Sequence, residues 1–478
     1  MYNRMLIDNK WCDSISGRKF VSINPASEEE ITAIPLAGKE DVDAAVTSSE
    51  RAFQEWKKTT PQERAGLLNK LADLLEENKD EIAQIETLDM GKPIRESYAN
   101  ITRSVTTARY YAGAADKFEG NSYPVDPNTY NFSVYEPLGV TAHITPWNYP
   151  LANVMRSLPT AIAAGCTVIV KPASDTTLSS LFLARLCVDA GFPPGVINVI
   201  SGSGTETGSA LAEHPGVAGI TFTGSVSTGT RIMKSASQTI KPVVLELGGK
   251  NPQVVFADAD IEHAVNETIR GAYTNAGQVC TSVSRLLIEK PVYADYIERL
   301  KYRLESLSID NGMNNPDIGP LVSQKHYNDV ANYVAIAKSE GAQLVTGGSR
   351  AEGFDKGYFY KPTLFAGVTN NMRIAQEEVF GLVLSAISFE SDYEALAIAN
   401  DSPFGLTSGI FTRDINRAMR FAKDIEAGMV WVNKWFQSPV QVPHGGVKTS
   451  GLGREQGMIA LRNYSQVKDI SIFISNET

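Results

Sequence analysis

Apolar residues recur at helical spacing from Lys39 to Lys57, where Val42, Ala45, Val46, Ala52, Phe53 and Trp56 share one face. Thr60-Pro61-Gln62-Glu63 then predicts a helix start. Thr60 suits the cap, Pro61 the first turn, and Glu63 closes a capping box. Leu67, Leu68, Leu71, Leu74 and Leu75 give the next helix an apolar stripe that reads as core packing. From residue 140 the period changes. Short apolar runs at Val140–Ile144, Thr167–Lys171, Val196–Ser201, Gly219–Phe222 and Val243–Leu247 alternate with helical segments near 150–163, 176–190, 205–212 and 227–235. Apolar strands separated by amphipathic helices predict an α/β fold whose parallel sheet is covered on both faces. Ligands of such sheets bind at the carboxyl ends of the strands.

A second alternating region runs from about 251 to 432, with strands predicted at Gln253–Phe256, Ser284–Ile288, Gln343–Thr346, Leu382–Ser388 and Met429–Val432. It reads as a second parallel-sheet α/β domain. Val467–Ser475 is β-prone without a helical period, and Lys117–Tyr135 also reads as extended. A terminal strand needs an edge to pair with, and another subunit is one source of it.

Composition narrows the function classes. The 478 residues suggest roughly two to four domains. Lys plus Arg number 44 and Asp plus Glu 54, so the net charge is 44 − 54 = −10, and no basic block points to nucleic acid. The four cysteines are scattered and no two of the five histidines stand three or four apart, so neither a disulfide framework nor a metal site is expected. The chain begins without an apolar leader and has no apolar stretch of about 18 residues, so a soluble, cytoplasmic protein with no membrane partner is expected.

Two residues stand out chemically. Cys280 lies in Asn275-Ala-Gly-Gln-Val-Cys-Thr281, where glycine allows close backbone approach and backbone N–H groups would lower a thiol's pKa. A lone cysteine equally suits a small buried hydrophobe, as Cys166 and Cys187 do. Glu246 lies within the apolar run Val243-Val-Leu-Glu-Leu-Gly-Gly249. It either faces solvent by strand alternation or serves as a strand-end general base with a raised pKa. Three βα turns carry phosphate-binding signals: Ile200-Ser-Gly-Ser-Gly-Thr-Glu-Thr-Gly208, which includes Gly204; Phe222-Thr-Gly-Ser225, with Gly224 and Ser225; and Lys171-Pro172. Together on one sheet they favour a dinucleotide.

With these motifs in place the chain resembles the aldehyde dehydrogenase superfamily of NAD(P)-dependent enzymes. Phe222-Thr-Gly-Ser225, Leu245-Glu-Leu-Gly-Gly-Lys250, Gly277-Gln-Val-Cys280, Glu377-Glu-Val-Phe-Gly381 and Pro443-His-Gly-Gly-Val-Lys-Thr-Ser-Gly-Leu-Gly-Arg-Glu455 stand in family order, and the interval 280 − 246 = 34 matches the family spacing. The resemblance implies that Cys280 attacks the aldehyde, that Asn148 donates to the oxyanion, and that Glu246 activates the water that hydrolyses the thioester. It implies that Thr145, Pro146, Trp147, Lys171, Ser174, Gly204, Gly224, Ser225, Glu378 and Phe380 contact NAD or NADP. Glu455 would be the proton-relay acid behind Glu246. Tyr149, Asn153, Arg156, Phe436, Ser438 and His444 would line the aldehyde tunnel. No metal is implied.

Departures from the family pattern carry expectations of their own. Ser174 stands where NAD-preferring members often have Glu; a hydroxyl would not repel a 2′-phosphate, so NADP acceptance is expected, with Asp175 following immediately. Ser157 replaces a relay lysine, and Leu382 a proline. The aromatic tunnel suits an aromatic or aliphatic aldehyde. Arg156 would suit a carboxylate-bearing semialdehyde or serve as a salt-bridged structural residue, and Thr274 stands where a succinic semialdehyde enzyme has a second arginine. A cofactor-free thiol hydrolase and a non-catalytic binding role are the competing readings. The implied architecture is a Rossmann-like cofactor domain (1–116 and 137–248), a catalytic domain (249–448) and a β oligomerisation element (117–136 and 461–478), assembling as a homodimer or homotetramer.

Overall fold

A computed structural model describes residues 3–475. The predicted capping box is formed: the Thr60 hydroxyl accepts from the Glu63 N–H, and the Glu63 carboxylate accepts from the Thr60 N–H at 2.7 Å. The helix so started, Pro61–Glu77, buries Leu68, Leu71 and Leu75. It packs beside the long helix Ile94–Ala114, which in turn packs against helix Pro150–Ala164.

The first sheet has eight strands. Five are parallel, in spatial order Ile197–Val199, Thr167–Lys171, Val140–Ile144, Gly219–Thr223, Val243–Glu246. From Val140–Ile144 the chain winds outward one way, then returns to add Gly219–Thr223 on the other side. The order therefore reverses between those two strands, and their carboxyl ends open the crevice that receives ligands in doubly wound folds. All three central strands bury nearly every side chain, which is why they read as continuous apolar runs. The edges were not foreseen. Met5–Ile7 pairs antiparallel with Ile197–Val199, and Gly451–Leu452 pairs with Leu245 and Glu246. Such short segments carry too few residues to show a period.

The second sheet orders Gln343–Thr346, Thr363–Ala366, Val383–Phe389, Val283–Glu289, Asn251–Val255, Thr407–Phe411 and Met429–Val432, all parallel but the first. Thr363–Ala366 and Thr407–Phe411 add to the five strands expected there. A third sheet answers the question of the terminal strand. Ser465–Phe473 pairs along its whole length with Thr129–Pro137 of its own chain, and Ser122–Asp126 completes the sheet. The strand begins two residues earlier than expected and ends at Phe473. Residues 1–2 and 476–478, included in the expected domain limits, lie outside the described residues. No helix among the described residues is long and apolar enough to cross a membrane.

Candidate active site

One cavity of about 800 Å³ runs between the two large sheets, and both Cys280 and Glu246 line it. Glu246 is the last residue of its strand and is buried, so the solvent-facing alternative is removed. One of its carboxylate oxygens has no hydrogen-bond partner, and the other lies 3.8 Å from His444 Nε2. Burial, and then the neighbouring Glu455, push Glu246 well above the usual carboxylate range, while Arg156 and Arg454 pull it back. A buried carboxyl group with a raised pKa and an unpartnered oxygen has the properties a general base needs.

Cys280 sits just beyond a strained turn. Asn275 and Ala276 adopt φ of 52° and 55°, unusual for side-chain-bearing residues, and Gly277 follows at 71°. A Cβ on Gly277 would stand 2.5 Å from the Gly381 carbonyl oxygen, so this position requires glycine. A local N–H, that of Thr281, does lower the thiol pKa, but it is outweighed: burial pushes Cys280 up to about 11, Arg156 pulls it down, and Glu246 and Glu378 raise it further. The three other cysteines are free, and Cys166 and Cys187 are buried among apolar side chains.

Asn148 is buried beside this turn. Its side-chain amide donates to the Gln278 carbonyl at 2.9 Å, and its backbone carbonyl accepts from Asn275 Nδ2 at 3.0 Å. The first bond uses one of the two amide hydrogens and leaves the other for a ligand in the cavity that Asn148 lines. Asn275 and Gln278 are positioning residues that the sequence reading missed. The run of three residues at positive φ is a tertiary fact with no clear local signature.

One half of the cavity lies over the sheet's reversal point. Ser225 caps helix Val226–Ala236, its hydroxyl accepting from the Thr228 N–H at 3.3 Å. The free N–H groups at that helix start suit a pyrophosphate. Glu378 is held by the Gly249 N–H at 2.9 Å, and burial moves its carboxyl up to about 7. A Cβ on Gly248 would stand 2.2 Å from the same carboxylate, so the Gly-Gly pair marks where Glu378 packs. Phe380, at φ 58°, is held by His326 Nε2 on its carbonyl at 2.8 Å, and its ring stands edge-on to Trp147 at 5.3 Å. Pro146, Trp147, Gly224, Ser225, Glu378 and Phe380 line the cavity; Thr145, Lys171, Ser174 and Gly204 lie outside its lining. Lys171 is buried at the end of its strand, where desolvation draws it down to about 8 and Asp175 opposes the shift.

Tyr149, Asn153, Arg156, Phe436, Ser438 and His444 all line the same cavity. Of the two readings of Arg156, the geometry fits the salt-bridged structural one. Its guanidinium forms a buried ion pair with Glu455 and donates to Thr223 Oγ1 at 2.9 Å. That charge is neutralised inside the protein. Ser157 hydrogen-bonds His143 Nδ1 at 2.7 Å instead of facing Glu455. The cation missing at 157 is therefore supplied from 156, and Glu455 keeps a positive partner.

Comparison with known proteins agrees with this geometry. The model of the aldehyde dehydrogenase family matches residues 11–470. The chain belongs to the aldehyde dehydrogenase family. The dehydrogenase is 44% identical to a hydroxyisobutyraldehyde dehydrogenase of Mycolicibacterium austroafricanum, over 98% of this chain and 93% of that one. It is 40% identical to the peroxisomal aminoaldehyde dehydrogenase 1 of Pisum sativum, over 99% and 96%. Its fold superposes on the NAD+ complex of an aldehyde dehydrogenase from Bacillus cereus with a TM-score of 0.98, at 40% identity over 99% of this chain and 97% of that one. Membership in this family displaces the thiol-hydrolase and non-catalytic readings.

Proposed function

We propose that the dehydrogenase oxidises an aldehyde to a carboxylic acid through a thioester on Cys280, with NAD or NADP as the electron acceptor. The observation that carries this reading is a single cavity shared by Cys280, Glu246, Asn148 and the cofactor-side residues Ser225, Glu378 and Phe380. Pro146, Trp147, Gly224, Ser225, Glu378 and Phe380 would hold the dinucleotide, with Thr145, Lys171, Ser174 and Gly204 contributing from the strand ends outside the lining. When bound, the cofactor takes the two electrons that the aldehyde carbon loses.

The protein's own groups do the rest. Cys280 adds to the carbonyl carbon as its thiolate, the thiol proton having passed to solvent, and the free Asn148 N–H stabilises the negative oxygen that forms. After oxidation the acyl group stays on Cys280 as a thioester. Glu246, with one oxygen unpartnered, takes a proton from the attacking water; the carboxylic acid leaves and the thiol is restored. Glu455, fixed by Arg156, lies behind Glu246 as the next proton acceptor.

Ser174 and Lys171 support use of NADP beside NAD, since neither carries a negative charge towards a 2′-phosphate. Turnover followed at 340 nm across aromatic, aliphatic and acidic aldehydes, with NAD and NADP in parallel, tests this reading. Reduced cofactor is expected with both; no reaction with NADP would remove the Ser174 argument, and no reaction with any aldehyde would remove the whole reading.

The chain divides, in our reading, into a cofactor domain (1–116 and 137–248), a catalytic domain (249–448) and the three-stranded element (117–136 and 461–478), with Gly451–Leu452, between those limits, joining the first sheet. That element exposes Tyr123, Val125, Tyr130, Val467, Ile472 and Phe473, an apolar surface suited to a second copy. A homodimer or homotetramer is expected by light scattering, and a particle of one chain's mass would overturn this. A reactive thiol nucleophile is best kept reduced in the cytoplasm, which is where we place the enzyme.

A further inference from the structure

The aldehyde end of the cavity holds a charge that the proposed mechanism does not use. Arg103, on helix Ile94–Ala114, lines the same cavity as Cys280. One of its nitrogens donates to the Ser438 carbonyl at 3.3 Å. Among the described residues no carboxylate stands within ion-pair distance of it, in contrast to Arg156, which Glu455 neutralises. Arg103 is exposed where it lines the cavity, and Asn100, Thr274, Phe436 and Ser438, which line the same cavity, are uncharged.

The acidic groups that line the cavity lie elsewhere. Glu246 is at the strand end facing His444, and Glu378 is on the cofactor side beside Phe380. Asp329 lines it from helix Gln324–Ser339, which also carries the His326 that holds Phe380. Arg103 and Arg156 are close enough to repel one another, and Arg103 also acts electrostatically on Cys280 and His444. A guanidinium has five N–H donors in a planar fork that matches a carboxylate. Here most of those donors remain for a ligand.

We infer that Arg103 makes this enzyme select aldehydes carrying a carboxylate remote from the carbonyl, and reject those carrying an ammonium group. The inference rests on the dehydrogenase reading above and adds a substrate class to it. The carboxylate-bearing alternative expected through Arg156 is thus moved to a different arginine, one whose charge is not spent inside the protein. Arg103 binds and orients; it takes no part in bond making at Cys280.

The test uses the purified enzyme with NAD and three straight-chain aldehydes of equal length ending in a carboxylate, a hydroxyl or an ammonium group. In the parent enzyme kcat/KM is expected to fall in that order, with the carboxylate favoured over the hydroxyl on the order of tenfold. Added salt should narrow the gap. Arg103→Met should cost the carboxylate substrate on the order of tenfold more than the hydroxyl one, Arg103→Lys should restore part of it, and Arg103→Glu should reverse the order of carboxylate and ammonium. Equal loss on all three substrates, or a parent enzyme indifferent to charge and salt, overturns the inference while leaving the dehydrogenase reading in place. No reduced cofactor from any of the three overturns the dehydrogenase reading instead. The salt series in the parent enzyme decides the matter even if a variant fails to fold.

Discussion

Cys280→Ser is expected to abolish aldehyde oxidation, lowering kcat on the order of a thousandfold or more. The alcohol is a far weaker nucleophile than the thiolate and forms an ester in place of the thioester. The substitution removes no packing volume of consequence, so thermal unfolding and cofactor binding should match the parent. Steady-state kinetics and cofactor titration check both halves. Retained activity would mean that the nucleophile lies elsewhere. The thiol itself offers a companion reading. Burial raises Cys280 to about 11, and only the thiolate reacts with alkylating agents. Iodoacetamide labelling of Cys280 should therefore climb about tenfold per pH unit from neutrality, with no plateau below about pH 10. A plateau near neutral pH would show an activated thiol already present.

Glu246→Gln is expected to separate the two halves of the reaction. Acylation of Cys280 does not require the base that attacks with water, so the first turnover should release about one equivalent of reduced cofactor per site. Hydrolysis should then slow by about 10²–10⁴-fold, leaving acylated enzyme detectable by mass spectrometry. Rapid-mixing absorbance at 340 nm reads the burst. Steady turnover at the parent rate would remove Glu246 from the hydrolytic step.

The same substitution has a stability consequence. Glu246 is raised well above its ordinary value by burial and by Glu455. A carboxyl group whose folded pKa exceeds its unfolded one gives stability that is fully present below the unfolded value. That stability is lost as pH rises through the folded value. The glutamine cannot ionise, so above neutral pH the variant should unfold at the same denaturant concentration as the parent or a higher one. Loss of activity then cannot be put down to loss of fold.

How much of this was legible in the chain depends on how local each cause is. The capping box at Thr60 and Glu63 was readable because both partners lie within one turn. The five parallel strands were readable because a strand buried on both faces must be apolar throughout. Cys280 and Glu246 stood out because each sits in a context that packing alone does not demand, and the ordered family motifs then joined them. The edge strands Met5–Ile7 and Gly451–Leu452 were invisible, since two or three residues show no period and their place is set by distant partners.

Charge is where the sequence stopped. Arg103 and Arg156 look alike along the chain, each an arginine on an amphipathic helix. What distinguishes them is the company that folding brings: Glu455, about 300 residues away in sequence, closes on Arg156, and nothing acidic closes on Arg103. The ionisation of Cys280, Glu246 and Glu378 was likewise undecided, because desolvation by residues from both sheets sets it. The sequence by itself determined the alternation of the long strands and helices and the candidate reacting groups, because local periodicity and short motifs encode both. Only the tertiary structure decided which charges are spent and which remain available, because an ion pair or a buried carboxyl is a property of distances between elements far apart in the chain.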